Sequence, residues 1–418
     1  MSTQIRISGN KSLHGNVSIS GAKNSSLPIL AASLLTDEKV YLANVPMKLQ
    51  DVCIMIELLK SLGKQVDILS EKEILVYGSV SSSKAPYHLV REMRASILAL
   101  GPLLSKTGRA NIPLPGGCNI GNRPVNLHID GLKALGAEIN MTNGTINGES
   151  KRLIGNRVTF NKVSVTGTQN LLMAATLAKG KTQIFNPANE PEVKELIDCL
   201  IMMGAKIKIL PYCIEVEGVE SLAGLKHQIR PDRIEMATYL FACMVTNGKI
   251  TLNVDYSGYI KKTIDQLLPF GISINPNSQS VEVSMLANSI FPLSVSTNPY
   301  PGIATDIQPF LCVANSLAEG SSVIKETVFE NRFQHLDELA RLGSTHEVIS
   351  NEVHFKGGDI FNGTRVQATD LRAGAALVLA GLAAKGETLI SEAHHIFRGY
   401  ESITEKLQLL GAEIELVN

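Results

Sequence analysis

The chain has no excess of either charge. Lys+Arg and Asp+Glu are both 39 among 418 residues, so the formal net charge is zero. A neutral chain offers no field to gather nucleic acid or an anionic membrane, so an anionic ligand has to be held by a local cluster of basic side chains. Paired cysteines are missing too. Cys53, Cys118, Cys199, Cys213, Cys243 and Cys312 are scattered with no C-x-x-C among them. That argues against a zinc ribbon or a disulfide framework and fits reduced thiols in a cytoplasm. Long apolar runs are absent: the longest, around Ala373–Ala384, is too short to span a bilayer. The opening Met1-Ser-Thr-Gln-Ile-Arg-Ile-Ser-Gly9 lacks the apolar centre of a secretion signal. The expectation is a globular cytoplasmic protein, monomeric, with no membrane insertion and no nucleic-acid partner. A chain of 418 residues is too long for one small core and implies two domains of about 200 residues each.

What is present is a repeat. Helical patterns end in an apolar residue, a glycine and a strand at Leu62-Gly63-Lys-Gln-Val66, Leu135-Gly136-Ala-Glu-Ile139, Met203-Gly204-Ala-Lys-Ile207 and Phe270-Gly271-Ile-Ser-Ile274. Leu342-Gly343-Ser344 is a degenerate copy, and Leu410-Gly411-Ala-Glu-Ile414 closes the series. A spacing of about 70 residues exceeds solenoid periods, so each copy is a small subdomain. The glycine should sit just past a helix end in left-handed geometry. Midway between these marks come alanine-rich helical stretches, Leu27–Val40, Ala95–Ala110, Leu171–Thr182, Met236–Ile250, Phe310–Val323 and Ala373–Thr388. Small residues permit close packing, so these should be inner helices, and the more charged set outer. Each unit reads as strand, inner helix, strand, outer helix, strand, and six divide as three and three.

Polar clusters precede the inner helices: Lys23-Asn24, Arg91 with Arg94, Thr168-Gln169-Asn170, Arg233, Thr305-Asp306 and Thr369-Asp370-Leu-Arg372. Helix N-termini expose unpaired N–H groups that suit anions. Capping explains some of these clusters, but capping does not call for Arg or Lys. The stretch Pro113-Leu-Pro-Gly-Gly-Cys-Asn-Ile-Gly-Asn-Arg-Pro124 holds three prolines and three glycines, so it should be a surface loop able to open and close. In it, Cys118 is presented between Gly117 and Asn119, with Arg123 near enough to support a thiolate or grip an anion. A turn with an incidental cysteine is the alternative.

Together, Gly21-Ala-Lys-Asn-Ser-Ser-Leu-Pro28, Met93-Arg-Ala-Ser96, Pro115-Gly-Gly-Cys-Asn-Ile-Gly121, Pro231-Asp-Arg-Ile-Glu235, Glu330-Asn-Arg-Phe333, Asp370-Leu-Arg372 and Arg398-Gly-Tyr-Glu401 resemble the enolpyruvyl transferase family from first strand to last. Within it they are similar to the branch that acts on UDP-N-acetylglucosamine in peptidoglycan synthesis. The Pro-Gly-Gly-Cys loop separates that branch from the shikimate-pathway one. The resemblance implies a two-domain inside-out α/β barrel of six βαβαββ-like units, three per domain, facing each other across a cleft. The domains would be 1–21 with 231–418, and 22–230.

The resemblance also implies the reaction. The enolpyruvyl group of phosphoenolpyruvate moves to the 3′-hydroxyl of the sugar by addition and elimination. Phosphate leaves, and neither cofactor nor metal is needed. Lys23, Asn24, Arg123, Arg372 and Arg398 would hold phosphoenolpyruvate. Cys118 would protonate its methylene carbon or add to it transiently, and Asp306 would take the sugar's hydroxyl proton. Arg94, Arg123, Pro124, Val125, Asn126, Leu127, Lys162, Val163, Ser164, Val165, Asp306 and Val328 would line the UDP-sugar, with Arg233, Arg332 and Asp370 in support. Paired guanidinium bonds suit phosphate and carboxylate, and protonating a carbon needs a positioned acid.

Phe397 stands where the family usually has an acidic residue, Leu98 where a tryptophan is sometimes found, and Ala304 where a proline is expected. The alternatives are a shikimate-type transferase and an inactive paralogue that binds UDP-sugar. His394 and His395, read as neighbours on a strand, would point to opposite faces and serve structure. His128 either contacts the sugar or caps, and Glu190 and Glu192 read as solvated charges in a turn.

Overall fold

The computed structural model describes residues 3–116, 125–287 and 289–417. They form two compact units, one of residues 21–116 with 125–230 and one of residues 3–20 with 231–417. Each has its own apolar core.

The third repeat shows the plan. Strand Arg157–Thr159 leads into inner helix Val165–Ala175, strand Lys181–Phe185, outer helix Pro191–Met202, and the hairpin Lys206–Ile209 with Cys213–Glu217. The first two strands pair in parallel, which requires the inner helix as crossover, and the hairpin adds antiparallel. The fifth repeat follows the same plan within residues 295–355. Three other repeats borrow a strand from elsewhere in the chain. Leu225–Gln228 lies parallel to Val40–Ala43 and completes the first sheet. His14–Ser18 plays that part beside Lys249–Asn253 in the fourth. Gln4–Ser8 sits between Glu387–Ser391 and Glu413–Val417 in the sixth. The second repeat has three strands, with a bridge from Lys84 to Asn111 where the edge strand would be.

In each unit helices take the centre and sheets the outside, an inside-out α/β arrangement. Arg233–Val245, Gln308–Leu317 and Leu371–Ala383 pack on one another and are almost wholly buried. Their small residues are what permits this. A Cβ at Gly374 would come within 2.6 Å of Ile396 Cγ1, so glycine lets the turn that ends at Arg398 pack onto this helix. Strands bury alternate residues, as in Gln4–Ser8 with Ile5 and Ile7 inward.

All six repeat glycines have positive φ, from +87° at Gly136 and Gly411 to +114° at Gly343, so the degenerate fifth copy keeps the same helix stop. Other expectations need correcting. Inner helices begin earlier than the alanine-rich text: Lys23 is the first residue of Lys23–Ala32, and Thr168, Gln169 and Asn170 lie inside Val165–Ala175. Ser164 caps that helix by accepting from Gly167 N at 3.1 Å. Pro113 ends the strand Arg109–Pro113 instead of opening a loop. Pro191 is the first residue of a helix, where proline's missing N–H costs nothing, and Glu192 beside it is buried, not solvated. No helix among the described residues is long and apolar enough to cross a membrane.

Candidate active site

In the unit of residues 231–417, Asp306, Arg332 and Arg372 are brought together. Asp306 Oδ1 accepts from Arg332 Nη2 at 3.1 Å, and Oδ2 accepts from Arg372 Nε at 3.1 Å. Both guanidinium groups are buried, while the carboxylate keeps 28% of its side-chain exposure. Arg372 enters this pocket because Asp370 caps its helix, accepting from the Arg372 and Ala373 N–H groups at 2.8 and 3.0 Å. The Arg372 guanidinium lies over the Tyr400 ring at 5.2 Å, and Tyr400 pairs with Thr238 at 2.9 Å. Burial opposes its charge, but Tyr400, Asp306 and Asp232 outweigh it and hold the guanidinium protonated. Its Nη1 is shielded from solvent with no hydrogen-bond partner among the described residues. A buried, unsatisfied donor beside a second cation is what an incoming anion would complete.

Glu326 organises the rest. Its Oε2 accepts from Thr305 Oγ1 at 2.9 Å, and its Oε1 accepts from Val328 N and Phe329 N at 2.7 and 3.1 Å. The Thr305-Asp306 turn and Val328 are thereby tied to one buried carboxylate. Arg233 is the first residue of its helix, with Tyr300 beneath its guanidinium at 5.8 Å. Arg398 ends the 3-10 turn Ala393–Arg398 and is half-buried.

In the unit of residues 21–230, Lys23 is buried, with Nζ 3.2 Å from Asp51 Oδ2. Asn24 beside it is half-buried. His128, in the first turn of helix Asn126–Ala134, is tied to helix Val165–Ala175. Asn170 Nδ2 donates to His128 Nδ1 at 2.9 Å, and His128 Nε2 lies 3.2 Å from Thr166 Oγ1. Asn170 Oδ1 is occupied by Gly101 N, which orients its amide and leaves the imidazole proton on Nε2. Burial first, then the nearby Arg94 charge, lowers the His128 pKa to about 4. His128 is therefore a neutral buried strut joining helix Asn126–Ala134 to helix Val165–Ala175. Val163 is half-buried and Lys162 exposed, outside this strut. Cys118, Arg123 and Pro124 lie outside the described residues.

Sequence reasoning missed Asp51 and Glu326, neither of which stands in an unusual local pattern, and gave no role to Tyr400 although it lies within Arg398-Gly-Tyr-Glu401. It also misplaced His394 and His395. They lie on a 3-10 turn, not a strand, and their rings are 4.0 Å apart. Cys199, Cys213, Cys243 and Cys312 are buried, whereas Cys53 is exposed on its helix.

Known proteins are similar to this chain over its whole length. A profile of the family described as EPSP synthase (3-phosphoshikimate 1-carboxyvinyltransferase) matches residues 7–407. Curated proteins named UDP-N-acetylglucosamine 1-carboxyvinyltransferase from Hydrogenovibrio crunogenus and Magnetococcus marinus are each 46% identical over 414 residues, 99% of both chains. The crystal structure of the enolpyruvyl transferase NikO from Streptomyces tendae superposes with a TM-score of 0.90 at 25% identity, covering 100% of this chain and 99% of that one. EPSP synthase from Acinetobacter baumannii, at 18% identity and a TM-score of 0.79 over both full lengths, shares the fold. With the profile spanning nearly the whole chain and relatives this similar from end to end, the chain belongs to the EPSP synthase family of enolpyruvyl (1-carboxyvinyl) transferases.

Proposed function

We propose that the chain transfers the enolpyruvyl group of phosphoenolpyruvate to the 3′-hydroxyl of UDP-N-acetylglucosamine, releasing phosphate, in the cytoplasmic supply of peptidoglycan precursors. The observation that carries this reading is the 46% identity, over 99% of the chain, to proteins named for that activity.

The residues support it chemically. Asp306 takes the proton of the sugar hydroxyl as the oxygen attacks C2 of phosphoenolpyruvate. Its two carboxylate oxygens accept from Arg332 and Arg372, which keep the carboxylate ionised and oriented for that transfer. Cys118 delivers a proton to C3. The C2–O bond to phosphate then breaks, C3 returns a proton, and the enol ether remains. Lys23, Arg372 and Arg398, with Arg123, hold the carboxylate and phosphate, and charges already oriented need no reorganisation as the reaction proceeds. Arg94, Val125–Leu127 and Ser164–Val165 hold the UDP-sugar, with Val328, whose N–H Glu326 accepts. The protein acts as a monomer, with no cofactor.

The family description favours a second reading, transfer to 3-phosphoshikimate. One experiment separates them: phosphate release is followed after mixing phosphoenolpyruvate with UDP-N-acetylglucosamine or with 3-phosphoshikimate. Release with the nucleotide sugar alone is expected. Release only with 3-phosphoshikimate overturns the acceptor, and no release with either makes the chain an inactive paralogue.

A further inference from the structure

In the sixth repeat, the turn after strand Glu387–Ser391 carries a donor set the transferase chemistry does not use. Glu392, with φ +55° and ψ +37°, stops strand Glu387–Ser391 and starts the 3-10 turn Ala393–Arg398. This reversal brings its carboxylate beside the two following histidines. His394 Nδ1 lies 3.3 Å from Glu392 Oε2. The two imidazole rings stand 4.0 Å apart, tilted by 38°. One ligand atom from each of Glu392, His394 and His395 falls within 4.8 Å of the other two. His395 Nδ1 is shielded from solvent with no hydrogen-bond partner among the described residues.

We propose that Glu392, His394 and His395 form a binding site for one first-row divalent transition ion of the Zn²⁺ or Ni²⁺ class. Bonds of about 2.1 Å to a tetrahedral ion place donors roughly 3.4 Å apart. The Glu392–His394 pair already has that spacing, and rotation of the imidazole rings brings in the third donor. Two imidazoles and a carboxylate select ions of this class over Mg²⁺ or Ca²⁺, which want oxygen ligands. His394 and Glu392 keep 53% and 35% of their side-chain exposure, so the ion can enter from solvent and retain water in its remaining positions. Its ligands span one turn, so a bound ion clips that turn shut and stiffens the segment leading to Arg398.

The test is a titration of the full chain, freed of metal by chelator, with NiCl2 followed by calorimetry. Wild type should bind one Ni²⁺ per chain. His394→Ala and Glu392→Gln should each weaken binding by at least about tenfold. Ni²⁺ should raise the melting temperature of wild type but not of His394→Ala, which alters an exposed ring and leaves the core intact. Co²⁺ spectra provide the second readout, because a thiolate charge-transfer band would move the ion to a cysteine and overturn the site. Absence of saturable binding in wild type would overturn it, as would equal affinity in both variants.

Discussion

Acid should weaken the protein through His128 in a way that can be worked from its surroundings. The ring is buried between Asn170 and Thr166, and its pKa is lowered to about 4 by burial and by Arg94. In the unfolded chain it titrates at about 6.5. The folded value is depressed, so the unfolded state takes up the proton first as pH falls. Stability is intact above about pH 6.5 and is lost progressively down to about pH 4. Between pH 7 and pH 5 the loss from this one group is about 2 kcal/mol. In urea that moves a midpoint by about 1 M for a slope of about 2 kcal/mol per molar. His335, also buried and lowered to about 4, adds a similar term in the other unit, so wild type alone does not isolate His128. The assay is therefore urea unfolding at pH 7 and pH 5 for wild type and His128→Gln. Far-UV circular dichroism is the probe, because the chain has no tryptophan. The variant's pH-dependent loss should be smaller by about 2 kcal/mol. Equal losses would mean that His128 is not held neutral, and the strut between its two helices would have to be abandoned.

Gly136 and Gly63 occupy the same place in their repeats, but a Cβ at Gly136 meets nothing within 4 Å, whereas at Gly63 it would lie 2.1 Å from Ser81 Oγ. Gly136→Ala should cost about 1 kcal/mol from backbone strain and Gly63→Ala at least about 1 kcal/mol more, compared by denaturant midpoints; equal costs would refute the contact reading. Lys23→Ala alone would strip the buried Asp51 carboxylate of a cationic partner, so the informative variant is Lys23→Met with Asp51→Asn. It should keep its melting temperature and lose about 10²-fold or more in kcat/KM for phosphoenolpyruvate, and unchanged kinetics would remove Lys23 from the anion site. Thiol labelling with peptide mapping should find Cys118 fastest. Burial raises the Cys243 thiol to about 12 and also pushes up the Cys199 and Cys312 thiols, while exposed Cys53 is raised by partial burial; faster labelling at Cys53 would count against an activated Cys118.

The repeat glycines were legible because a left-handed helix stop is a local backbone requirement that few residues other than glycine meet without strain. That held even at Gly343, where the surrounding text is eroded. Lys23, Asp306 and Arg372 were proposed for a related reason: each stands in a short run at the start of an inner helix or just before it. Asp51 and Glu326 were not. Asp51 is an ordinary acidic residue in a helix's first turn until folding sets it against Lys23, and Glu326 is an ordinary strand end until the Thr305 hydroxyl, 21 residues away, joins the N–H groups of Val328 and Phe329 just after it. The reading of His394 and His395 failed because period-two text says nothing of a reversal at Glu392, whose positive φ turned a strand into a 3-10 turn.

By itself the sequence determined six repeated units, where each outer helix stops, and which residue types stand ready at the inner helix starts. These follow from near-neighbour backbone and side-chain physics. Tertiary structure alone decided how the units close. Gln4–Ser8, His14–Ser18 and Leu225–Gln228 complete sheets whose other strands lie far away in the chain, and hydrogen-bond pairing between strands carries no local signature. It also decided the charge pairings. The bond from Arg372 to Asp306 spans 66 residues, and only the packing of two inner helices brings a guanidinium and a carboxylate to 3.1 Å.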